Sequence, residues 1–514
     1  MTYERRKDSP RISRRDFLRF AGAGLGALAV GSIASGLSGC TVPALGRRTS
    51  ASAEEDSGPF EPDTEINLRA VRDEVAILPG APTKVWRFVA DVVRGAESTV
   101  RPLPNAYLGP ILSFTRGERV RINFTNRLEE PTIVHWHGLH IPEAADGHPR
   151  LAIDPGESYV YEFTVLDRAG TYWYHPHPHG RTGPQVYNGL AGLVLVADPE
   201  SSPAGLPTGD YDIPLVIQDR TFTSDNQLAY LDRQMPGRMM GFLGDRVLVN
   251  GQPDFELPVK ARPYRLRILN GSNARIYKLA WQDGRALTVI GTDGGLLGRA
   301  TVRPYVTLSP GERVELWADF GDDAVGSQLT LESQRFPGSQ AFPVMKVVVE
   351  EATEEGEPLP EQLSDIVWHA ASDAVNRRHP RTFDMDMRQM TWLLNGRTFE
   401  MNDVAKNEVV RLGDLEVWEF VNESPRMAMA HPMHVHNVQF QVIERQVLAA
   451  YADQHATLAE GFVDTGWKDT VLVMPGERVK VLLKFEHYVG LYLYHCHNLE
   501  HEDMGMMRNY RIRA

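Results

Sequence analysis

The stretch MPGERVKVLLKF (474–485) joins a Pro-Gly turn to a run in which apolar and polar residues alternate. Two close variants precede it, DPGESYVYEF (154–163) and SPGERVELWADF (309–320). The prolines of the three turns are 155 and 165 residues apart, which is a typical domain length. A common turn and strand could recur by chance, but the nearly equal spacing favours three related domains.

Other runs, such as RVRINFTN and YRLRILN, alternate in the same way and are separated by Gly, Pro, Asn and Asp. A period of two is typical of strands with one buried face. The chain has 514 residues, more than one hydrophobic core accommodates. We therefore expect an all-β protein of three consecutive Greek-key β-sandwich domains, at 61–200, 205–352 and 362–514.

The N-terminal residues have the pattern of an export signal. A basic leader with Arg14 and Arg15 in SRRDFLR precedes an uncharged stretch from Ala21 to Gly39, which resembles a twin-arginine signal. A transmembrane anchor is the alternative, but this stretch is rich in Gly, Ala and Ser and only marginally apolar.

The segment LSGC, ending at Cys40, resembles a bacterial lipoprotein cleavage box. An ordinary signal cleavage near ASA (51–53) is the alternative. We expect a twin-arginine signal with a lipobox at 1–40 and a linker at 41–60. The protein would then pass through the twin-arginine export machinery to the periplasm or cell surface, and would touch the membrane only through a lipid on Cys40.

Processing at Cys40 would leave Cys496 as the single cysteine and would exclude an intrachain disulfide. It would also change the formal net charge from −13 to −17, because residues 1–39 carry seven basic and three acidic side chains. Such a surface repels nucleic acid and anionic lipid and suits cationic or neutral substrates. We expect a monomer that binds no nucleic acid.

The histidines are concentrated in two segments. All but two of the 17 lie within 135–179 or 431–501, and none lies between 180 and 368. Four His-x-His pairs occur there, and on a strand each pair projects from one face. One pair alone could be exposed or core histidines, but four pairs from the first and third domains favour a shared metal cluster. The pairs are His135 with His137, His175 with His177, His434 with His436 and His495 with His497.

A second set, His431, Cys496, His501 and Met506, has the composition of a blue-copper site: two imidazoles, a thiolate and a weak axial thioether. Zinc is the competing metal, but structural zinc sites usually have a second thiol, and Met favours copper. On a strand, the side chain of Cys496 projects from the face opposite to that of His495 and His497. Cys496 would therefore face one metal while the two histidines face another.

In order and spacing, HWHG, HPHPHG, HPMHVH and HCHNLEHEDMGMM resemble the four copper motifs of the multicopper oxidase family, and the resemblance covers roughly residues 60–514. GLAGLVLV, LNGSNAR, DGGLL and HEDMGMM are most similar to the three-domain bacterial copper-efflux oxidases, with spore-coat laccases and bilirubin oxidases further away. The resemblance implies three cupredoxin-like sandwiches, four copper ions and an oxidase that reduces dioxygen.

The resemblance also implies the ligands of each copper. They are His431, Cys496, His501 and Met506 for type 1; His135 and His434 for type 2; His137, His175 and His497 for one type 3 ion; and His177, His436 and His495 for the other. His140, His148 and His179 are not ligands in this scheme.

The implied reaction is the one-electron oxidation of four substrate molecules at type 1. Electrons then pass through Cys496 to its histidine neighbours, and dioxygen is reduced to two waters at the cluster. That reduction consumes four protons, and Asp146 and Glu502 occupy the family's proton-relay positions. The alternative is that both are loop acids that only accept hydrogen bonds.

The reducing substrate could be Cu(I), a phenol or both. Met385, Met387 and Met429 align best with a substrate-copper site, although Met is also a common filler of core gaps. Residues 353–384 contain no Met, so the Met-rich insertion of the copper-efflux oxidases is absent, which favours organic substrates. Dual Cu(I) and phenol oxidation ranks first and a laccase-like specialist second. A non-enzymatic copper-binding scaffold is disfavoured because every ligand position is present.

Overall fold

The structure is a computed structural model. It describes residues 48–49, 59–104, 106–198, 205–231, 239–353, 356–424 and 428–514. The predicted signal at 1–40 and most of the predicted linker lie outside these residues. The fold is that of the compact unit from Arg47 to Ala514.

The first sandwich consists of two five-stranded sheets, with the orders β1-β8-β6-β2-β3 and β4-β5-β10-β9-β7. The strands are β1 (Arg48–Thr49), β2 (Thr64–Val75), β3 (Thr83–Arg94), β4 (Val100–Arg101), β5 (Ile111–Thr115), β6 (Arg119–Asn126), β7 (Val134–His137), β8 (Ser158–Thr164), β9 (Gly170–Pro176) and β10 (Gly192–Ala197).

The second sandwich pairs a seven-stranded sheet, β13-β12-β11-β15-β20-β17-β18, with a five-stranded one, β14-β22-β21-β16-β19. The strands are β11 (Asp212–Arg220), β12 (Arg246–Val249), β13 (Gln252–Pro253), β14 (Glu256–Ala261), β15 (Pro263–Asn270), β16 (Tyr277–Trp281), β17 (Leu287–Thr292), β18 (Gly295–Arg303), β19 (Val306–Leu308), β20 (Arg313–Asp319), β21 (Gln328–Ser333) and β22 (Phe342–Ala352).

The third sandwich again has two five-stranded sheets, β24-β23-β26-β30-β28 and β25-β32-β31-β27-β29. The strands are β23 (Arg381–Arg388), β24 (Thr391–Leu394), β25 (Val409–Arg411), β26 (Leu415–Asn422), β27 (His431–Val435), β28 (Phe440–Val447), β29 (Thr470–Val473), β30 (Glu477–Lys484), β31 (Gly490–Cys496) and β32 (Met507–Arg513).

Short helices connect some of the strands. The α-helices are α1 (Thr182–Tyr187), α2 (Ala452–Ala459) and α3 (Leu499–Asp503). Single 3₁₀ turns occur at Glu97–Thr99, Pro149–Leu151, Gly209–Tyr211, Ala371–Asp373, Lys406–Glu408 and Ala449–Tyr451. Within the described residues, no helix is both long and apolar enough to span a membrane.

Each sandwich has its own core, and each core lies between its two sheets. In the first, Ile122 and Phe124 of β6 pack in one cluster with Val194 of β10 and Trp136 of β7, which belong to the opposite sheet. The side chains of β6 alternate between buried and partly exposed, as the period of its sequence predicts.

The three sandwiches share one topology. The parallel pairs β2–β6, β11–β15 and β23–β26 correspond to one another in the first sheets. In the second sheets the equivalent parallel pairs are β5–β10, β14–β22 and β25–β32. The strands after the three Pro-Gly turns, β8, β20 and β30, each pair antiparallel with the inner strand of such a pair. The predicted all-β architecture of three consecutive sandwiches is confirmed.

Candidate metal centres

Strand pairing brings the His-x-His pairs together within each sandwich. In the first, β7 and β9 are antiparallel neighbours, and His135 lies opposite His175. In the third, β27 and β31 are neighbours, and His434 lies opposite His495. Because side chains at i and i+2 share a face, each strand pair presents its imidazoles as one group.

The two groups meet in a single buried set, called here the histidine cluster. None of its members is more than 1% exposed. It consists of His135, His137, His175, His177, His434, His436, His495 and His497. The first and third sandwiches therefore form this cluster jointly, as the four pairs predict.

The orientation of each imidazole follows from the hydrogen bond of its other nitrogen. His135 Nδ1 lies 2.7 Å from the Asp146 carbonyl oxygen, and His434 Nδ1 lies 2.8 Å from that of Asp469. A carbonyl can only accept, so both Nδ1 atoms carry the proton and both Nε2 atoms carry a lone pair. These two Nε2 atoms face each other at 3.4 Å. Two lone pairs that face each other at this distance are unfavourable without a partner, and this is the arrangement expected around a bound cation.

A second group has the same property. His495 Nδ1 donates to the Cys496 carbonyl at 3.1 Å, and His436 Nδ1 donates to a carboxylate oxygen of Asp146 at 2.8 Å. Their Nε2 atoms lie 3.1 Å apart, and His177 Nε2 lies 3.4 Å from that of His495. The donor atoms of His177, His436 and His495 lie within 4.8 Å of one another, which is close enough to share one ion.

The remaining predicted trio is His137, His175 and His497. The structure groups His137 and His175 with His135, while the His497 ring centroid lies 5.0 Å from that of His137 and 5.4 Å from that of His175. Among the described residues, His137 Nδ1, His175 Nε2 and both nitrogens of His497 have no hydrogen-bond partner. Buried polar atoms are almost always paired, so these nitrogens also indicate a ligand.

The predicted type 1 residues form a second buried centre, called here the thiol site. Cys496 Sγ lies 3.5 Å from His431 Nδ1 and 3.6 Å from His501 Nδ1. His501 Nε2 donates to the Met239 carbonyl at 3.0 Å, which leaves the Nδ1 lone pair directed at the thiol. Met506 is fully buried in the same apolar cluster as Cys496. Cys496 therefore faces the thiol site while His495 faces the histidine cluster.

Burial disfavours the charged form of several of these imidazoles. It lowers the pKa of His431 and of His175 to about 3, and it lowers the pKa of His501 well below its ordinary value. Burial also raises the pKa of the Cys496 thiol, so formation of the thiolate requires a nearby cation. Neutral imidazole and thiolate are the forms that bind metals.

Two buried carboxyl groups border the histidine cluster. Asp146 accepts from His436, and one Glu502 oxygen lies 3.2 Å from His495 Nδ1 while the other lies 3.6 Å from His177 Nε2. Neither Glu502 oxygen has a hydrogen-bond partner among the described residues. Burial raises the pKa of both carboxyl groups well above their ordinary values.

The three histidines excluded as ligands have other partners. His140 Nε2 donates to the Glu486 carbonyl at 2.9 Å, and His148 Nε2 lies 2.8 Å from the Asn509 side-chain oxygen. The His179 ring lies 5.1 Å from that of Phe399, outside the cluster.

The structure adds residues that the sequence did not indicate. Asp469 Oδ1 lies 2.9 Å from His137 Nε2, and Arg313 of the second sandwich binds both oxygens of this carboxylate. Burial alone raises the pKa of Asp469, but the ion pair with Arg313 outweighs it and holds that pKa well below the ordinary value. Nothing in the local sequence marks these residues, because their partners are far away in the chain.

The helix that carries His501 is also held by the second sandwich. Glu500 accepts hydrogen bonds from the Tyr230 hydroxyl at 2.5 Å, the Asn273 side chain at 2.8 Å and the Phe242 backbone at 2.8 Å. The Met239 carbonyl belongs to the same segment as Phe242. The second sandwich, which contributes no predicted metal ligand, therefore orients His501 in the thiol site.

The three methionines predicted to bind substrate copper differ in exposure. Met385 is only 3% exposed and lies in the core of the third sandwich, whereas Met387 and Met429 are partly buried at its edge. Met385 and Met387 lie on β23, and Met429 lies just before β27.

An apolar groove of about 390 Å³ runs beside the thiol site. Asn498, whose backbone donates to Cys496 Sγ at 3.5 Å, lies at its wall. Its other lining residues include Met240, Leu243, Phe336, Phe342, Met429 and Met474. The volume of the groove is sufficient for a small aromatic molecule, and Asn498 in its wall is hydrogen-bonded to the thiol.

The residue set fits copper. Facing neutral imidazoles, unpaired nitrogens and a single thiol with two imidazoles and a buried thioether form the mixed nitrogen and sulfur environment that copper prefers. Zinc remains the less suitable metal because a second thiol is missing from the described residues.

Comparisons with known proteins agree with this geometry. Residues 90–201 and 374–514 match sequence models described as multicopper oxidase. The chain is 32% identical to a multicopper oxidase, mco, of Staphylococcus aureus over 79% of this chain and 82% of that protein. It is also 32% identical to a laccase of Bacillus stratosphericus, over 86% and 92%.

Among solved structures, the McoA multicopper oxidase of Aquifex aeolicus superimposes with a TM-score of 0.75. The two chains are 35% identical, and the match covers 88% of this chain and 97% of the other. The chain therefore belongs to the multicopper oxidase family and is an oxidoreductase that uses copper, a reducing substrate and dioxygen.

Proposed function

We propose that the protein holds four copper ions and couples the oxidation of four molecules of a small reductant to the reduction of one dioxygen to water. His431, Cys496, His501 and Met506 would hold type 1 copper; His135 and His434 type 2; His137, His175 and His497 one type 3 ion; and His177, His436 and His495 the other. The three domains would span 61–200, 205–352 and 362–514.

One observation carries this proposal. Imidazole nitrogens whose lone pairs are fixed by carbonyl or carboxylate acceptors face each other at 3.1–3.4 Å, and several further nitrogens of the cluster have no hydrogen-bond partner among the described residues. Bound copper supplies the one-electron chemistry that side chains lack. The protein supplies the orientation of each ligand and the exclusion of bulk water.

Cys496 and its neighbours join the two centres through a single stretch of backbone. His495 reaches the cluster, Cys496 reaches the thiol site, and His497 follows directly at the end of β31. Asp146 and Glu502 lie against cluster histidines and would hold and release the protons that water formation consumes.

The groove favours a phenolic reductant. Its lining is more apolar than polar and includes two aromatic rings, Phe336 and Phe342, and it lies beside the thiol site. Cu(I) is the second substrate that we propose, because Met240, which is 55% exposed, and the partly buried Met429 place soft thioethers in the same groove. The set predicted from the sequence, Met385, Met387 and Met429, is less suitable because Met385 is buried in the core of the third sandwich. A strictly laccase-like enzyme is the alternative.

We also propose export through the twin-arginine machinery, a lipid anchor on Cys40, a periplasmic or cell-surface location and a monomeric state. Their support is the sequence pattern of residues 1–40, together with the acidic net charge. The mass of the mature N-terminus tests the anchor, since an unmodified Cys40 or a later start would refute it.

Copper-loaded wild-type protein and Cys496→Ser test the assignment of the thiol site. We expect an intense blue absorption and substrate oxidation in the wild type and the loss of both in the variant, because a hydroxyl cannot replace the thiolate. A variant that stays blue, or that still oxidises substrate, would refute the assignment.

Oxygen uptake with a phenol and with Cu(I), measured side by side, tests the choice of reductant. Uptake with both supports dual activity, and uptake with the phenol alone supports the laccase-like alternative. The substitution Phe336→Ala should raise the KM for the phenol without changing the absorption spectrum, since Phe336 lines the groove and is not a proposed copper ligand. An unchanged KM would place the reductant elsewhere.

A further inference from the structure

The second sandwich has no histidine, yet it reaches the histidine cluster through its Pro-Gly turn. Arg313, the first residue of β20, follows this turn directly and is only 1% exposed. An arginine without solvent contact is costly unless every donor is paired. The groups that accept hydrogen bonds from Arg313 therefore indicate its role.

All five N–H donors of Arg313 have acceptors. Nε donates to the Thr171 carbonyl at 3.0 Å; Nη1 donates to the Gly311 carbonyl and to Asp469 Oδ1, each at 2.9 Å; and Nη2 donates to the Asp293 carbonyl at 2.9 Å and to Asp469 Oδ2 at 2.5 Å. These acceptors come from all three sandwiches. The guanidinium fixes the Asp469 carboxylate in one orientation by a bidentate pair.

Asp469 in turn forms hydrogen bonds with two histidines of the cluster. Its Oδ1 lies 2.9 Å from His137 Nε2, and its backbone carbonyl accepts from His434 Nδ1 at 2.8 Å. The Asp469 carboxylate accepts a hydrogen bond from Nε2–H, so His137 Nδ1 keeps the lone pair, and that atom is unpaired among the described residues. His137 would thus bind metal through Nδ1, unlike His135 and His434, which present Nε2.

We propose that Arg313 is a positioning residue for the copper cluster: through Asp469 it fixes the ring orientation and tautomer of His137. This inference rests on the proposed ligand assignment. It gives the second sandwich, which contributes no predicted ligand, a defined role in assembling the cluster.

The local space leaves little freedom for another side chain. Gly138, directly after His137, has φ +90°, and a Cβ there would lie 2.5 Å from Asp469 Oδ2 and 2.7 Å from Arg313 Nη2. Lysine has three donors without the planar fork, so it would leave acceptors around the site unpaired. The ion pair of Arg313 and Asp469 also belongs to a larger buried set of charged residues. Arg313 donates to the Asp293 carbonyl, and Lys468 forms ion pairs with the Asp293 side chain at 3.1 Å and with Glu312 at 3.0 Å.

Arg313→Met and Arg313→Lys test the inference, with Arg267→Met as the matched control. Arg267 is also a buried arginine of the second sandwich, and it donates to Thr171 Oγ1 at 3.0 Å, but its carboxylate partners are Asp212 and Glu315 instead of Asp469. Each variant is titrated with copper, and total bound copper, the blue absorption and the electron paramagnetic resonance signal of type 2 copper are recorded.

We expect Arg313→Met to keep the blue absorption but to bind cluster copper about 10- to 100-fold more weakly, with an altered type 2 signal. Arg313→Lys should show a smaller loss, and it carries the test if the Met variant does not fold, because it retains the charge opposite Asp469. Arg267→Met should bind copper like the wild type. Wild-type copper affinity in both folded Arg313 variants, or equal losses in the control, would overturn the inference.

A double variant tests whether Arg313 acts through Asp469. In an Asp469→Asn background, Arg313→Met should weaken copper binding no further, because the carboxylate that it orients is already gone. Additive losses would contradict the proposed route. A wild-type protein that binds only type 1 copper would refute the proposed function itself, and the inference with it.

Discussion

The chemistry of the two centres depends on which nitrogen of each imidazole carries the proton. His135 and His434 donate from Nδ1 to backbone carbonyls and present Nε2, whereas His501 donates from Nε2 to the Met239 carbonyl and presents Nδ1. Carbonyl oxygens cannot donate, so the backbone enforces these tautomers. The proposed metal sites are thus preorganised by groups that are not themselves proposed ligands.

Glu502→Gln tests the proton role at this scale. The amide is nearly isosteric but cannot exchange a proton, so oxygen uptake should fall about 100-fold or more. The copper content and the blue absorption should stay unchanged, because Glu502 is not a proposed ligand. Oxygen uptake at the wild-type rate would show that Glu502 serves only as a neighbour of His495 and His177.

Candidate ligands could be predicted from the sequence because the His-x-His spacing and the cysteine between two histidines are local patterns. The ring nitrogen that each ligand uses could not, since it depends on acceptors such as Met239 and Asp469 that lie far away in the chain. The distribution of ligands among the ions likewise depends on how two sandwiches meet.

At the element scale, the same type of Pro-Gly turn occurs in three different surroundings. Gly156, Gly311 and Gly476 all have positive φ, at +86°, +85° and +71°. A Cβ would meet open space at Gly156, the His497 ring at 3.0 Å at Gly311, and the Tyr451 ring at Gly476. The same turn is therefore a surface loop in the first sandwich and a wall of the histidine cluster in the second.

Gly156→Ala and Gly311→Ala form a matched pair. Both should lower the free energy of unfolding by about 1–2 kcal/mol, because both place alanine in the left-handed region. Only Gly311→Ala should also reduce bound cluster copper, since its methyl group displaces His497. Thermal unfolding and copper content measure the two effects, and equal copper content in both variants would contradict this account.

The alternating runs predicted the strands well: RVRINFTN is β6, and YRLRILN lies within β15. Their burial was predicted less well. Alternation in β15 indicates one solvent-facing side, yet all eight of its residues are buried. Arg265 and Arg267 on that side bind Glu315 of β20, and Arg267 and Glu315 also reach Thr171 of the first sandwich. In the sequence, a polar strand face that another domain covers has the same alternating pattern as a face exposed to solvent.

At the scale of the whole molecule, this buried ion-pair set should contribute to acid sensitivity. Burial alone raises the pKa of Glu315, but ion pairs with Arg265 and Arg267 hold it at about 2, below the ordinary 4.5. A depressed pKa adds stability above pH 4.5 that is lost as the pH falls towards 2.

Glu315→Gln should therefore destabilise the copper-free protein by about 3–5 kcal/mol at neutral pH, because two buried arginines lose their counter-charge. Its stability should also depend less steeply on pH between 4.5 and 2 than that of the wild type. Chemical unfolding across this range measures both effects, and parallel stability curves would contradict the prediction.

The complete site is a property of the assembled chain. The first and third sandwiches provide the histidines, and the second provides Arg313, the Met239 carbonyl and the turn at Gly311. The clustered histidines in the sequence indicated the contributions of the first and third sandwiches. The contribution of the second sandwich had no signal in the sequence, because charged residues and glycines near a turn are common and become informative only through their contacts.

The stoichiometry of oxygen consumption tests the central claim most directly. Copper-loaded protein is supplied with a limiting phenol, and dioxygen uptake, oxidised phenol and hydrogen peroxide are measured together. We predict four phenol molecules oxidised by one electron each for every dioxygen consumed, with no peroxide, because four electrons reduce dioxygen fully to water. Two electrons per dioxygen with accumulating peroxide, or no uptake at all, would contradict the account.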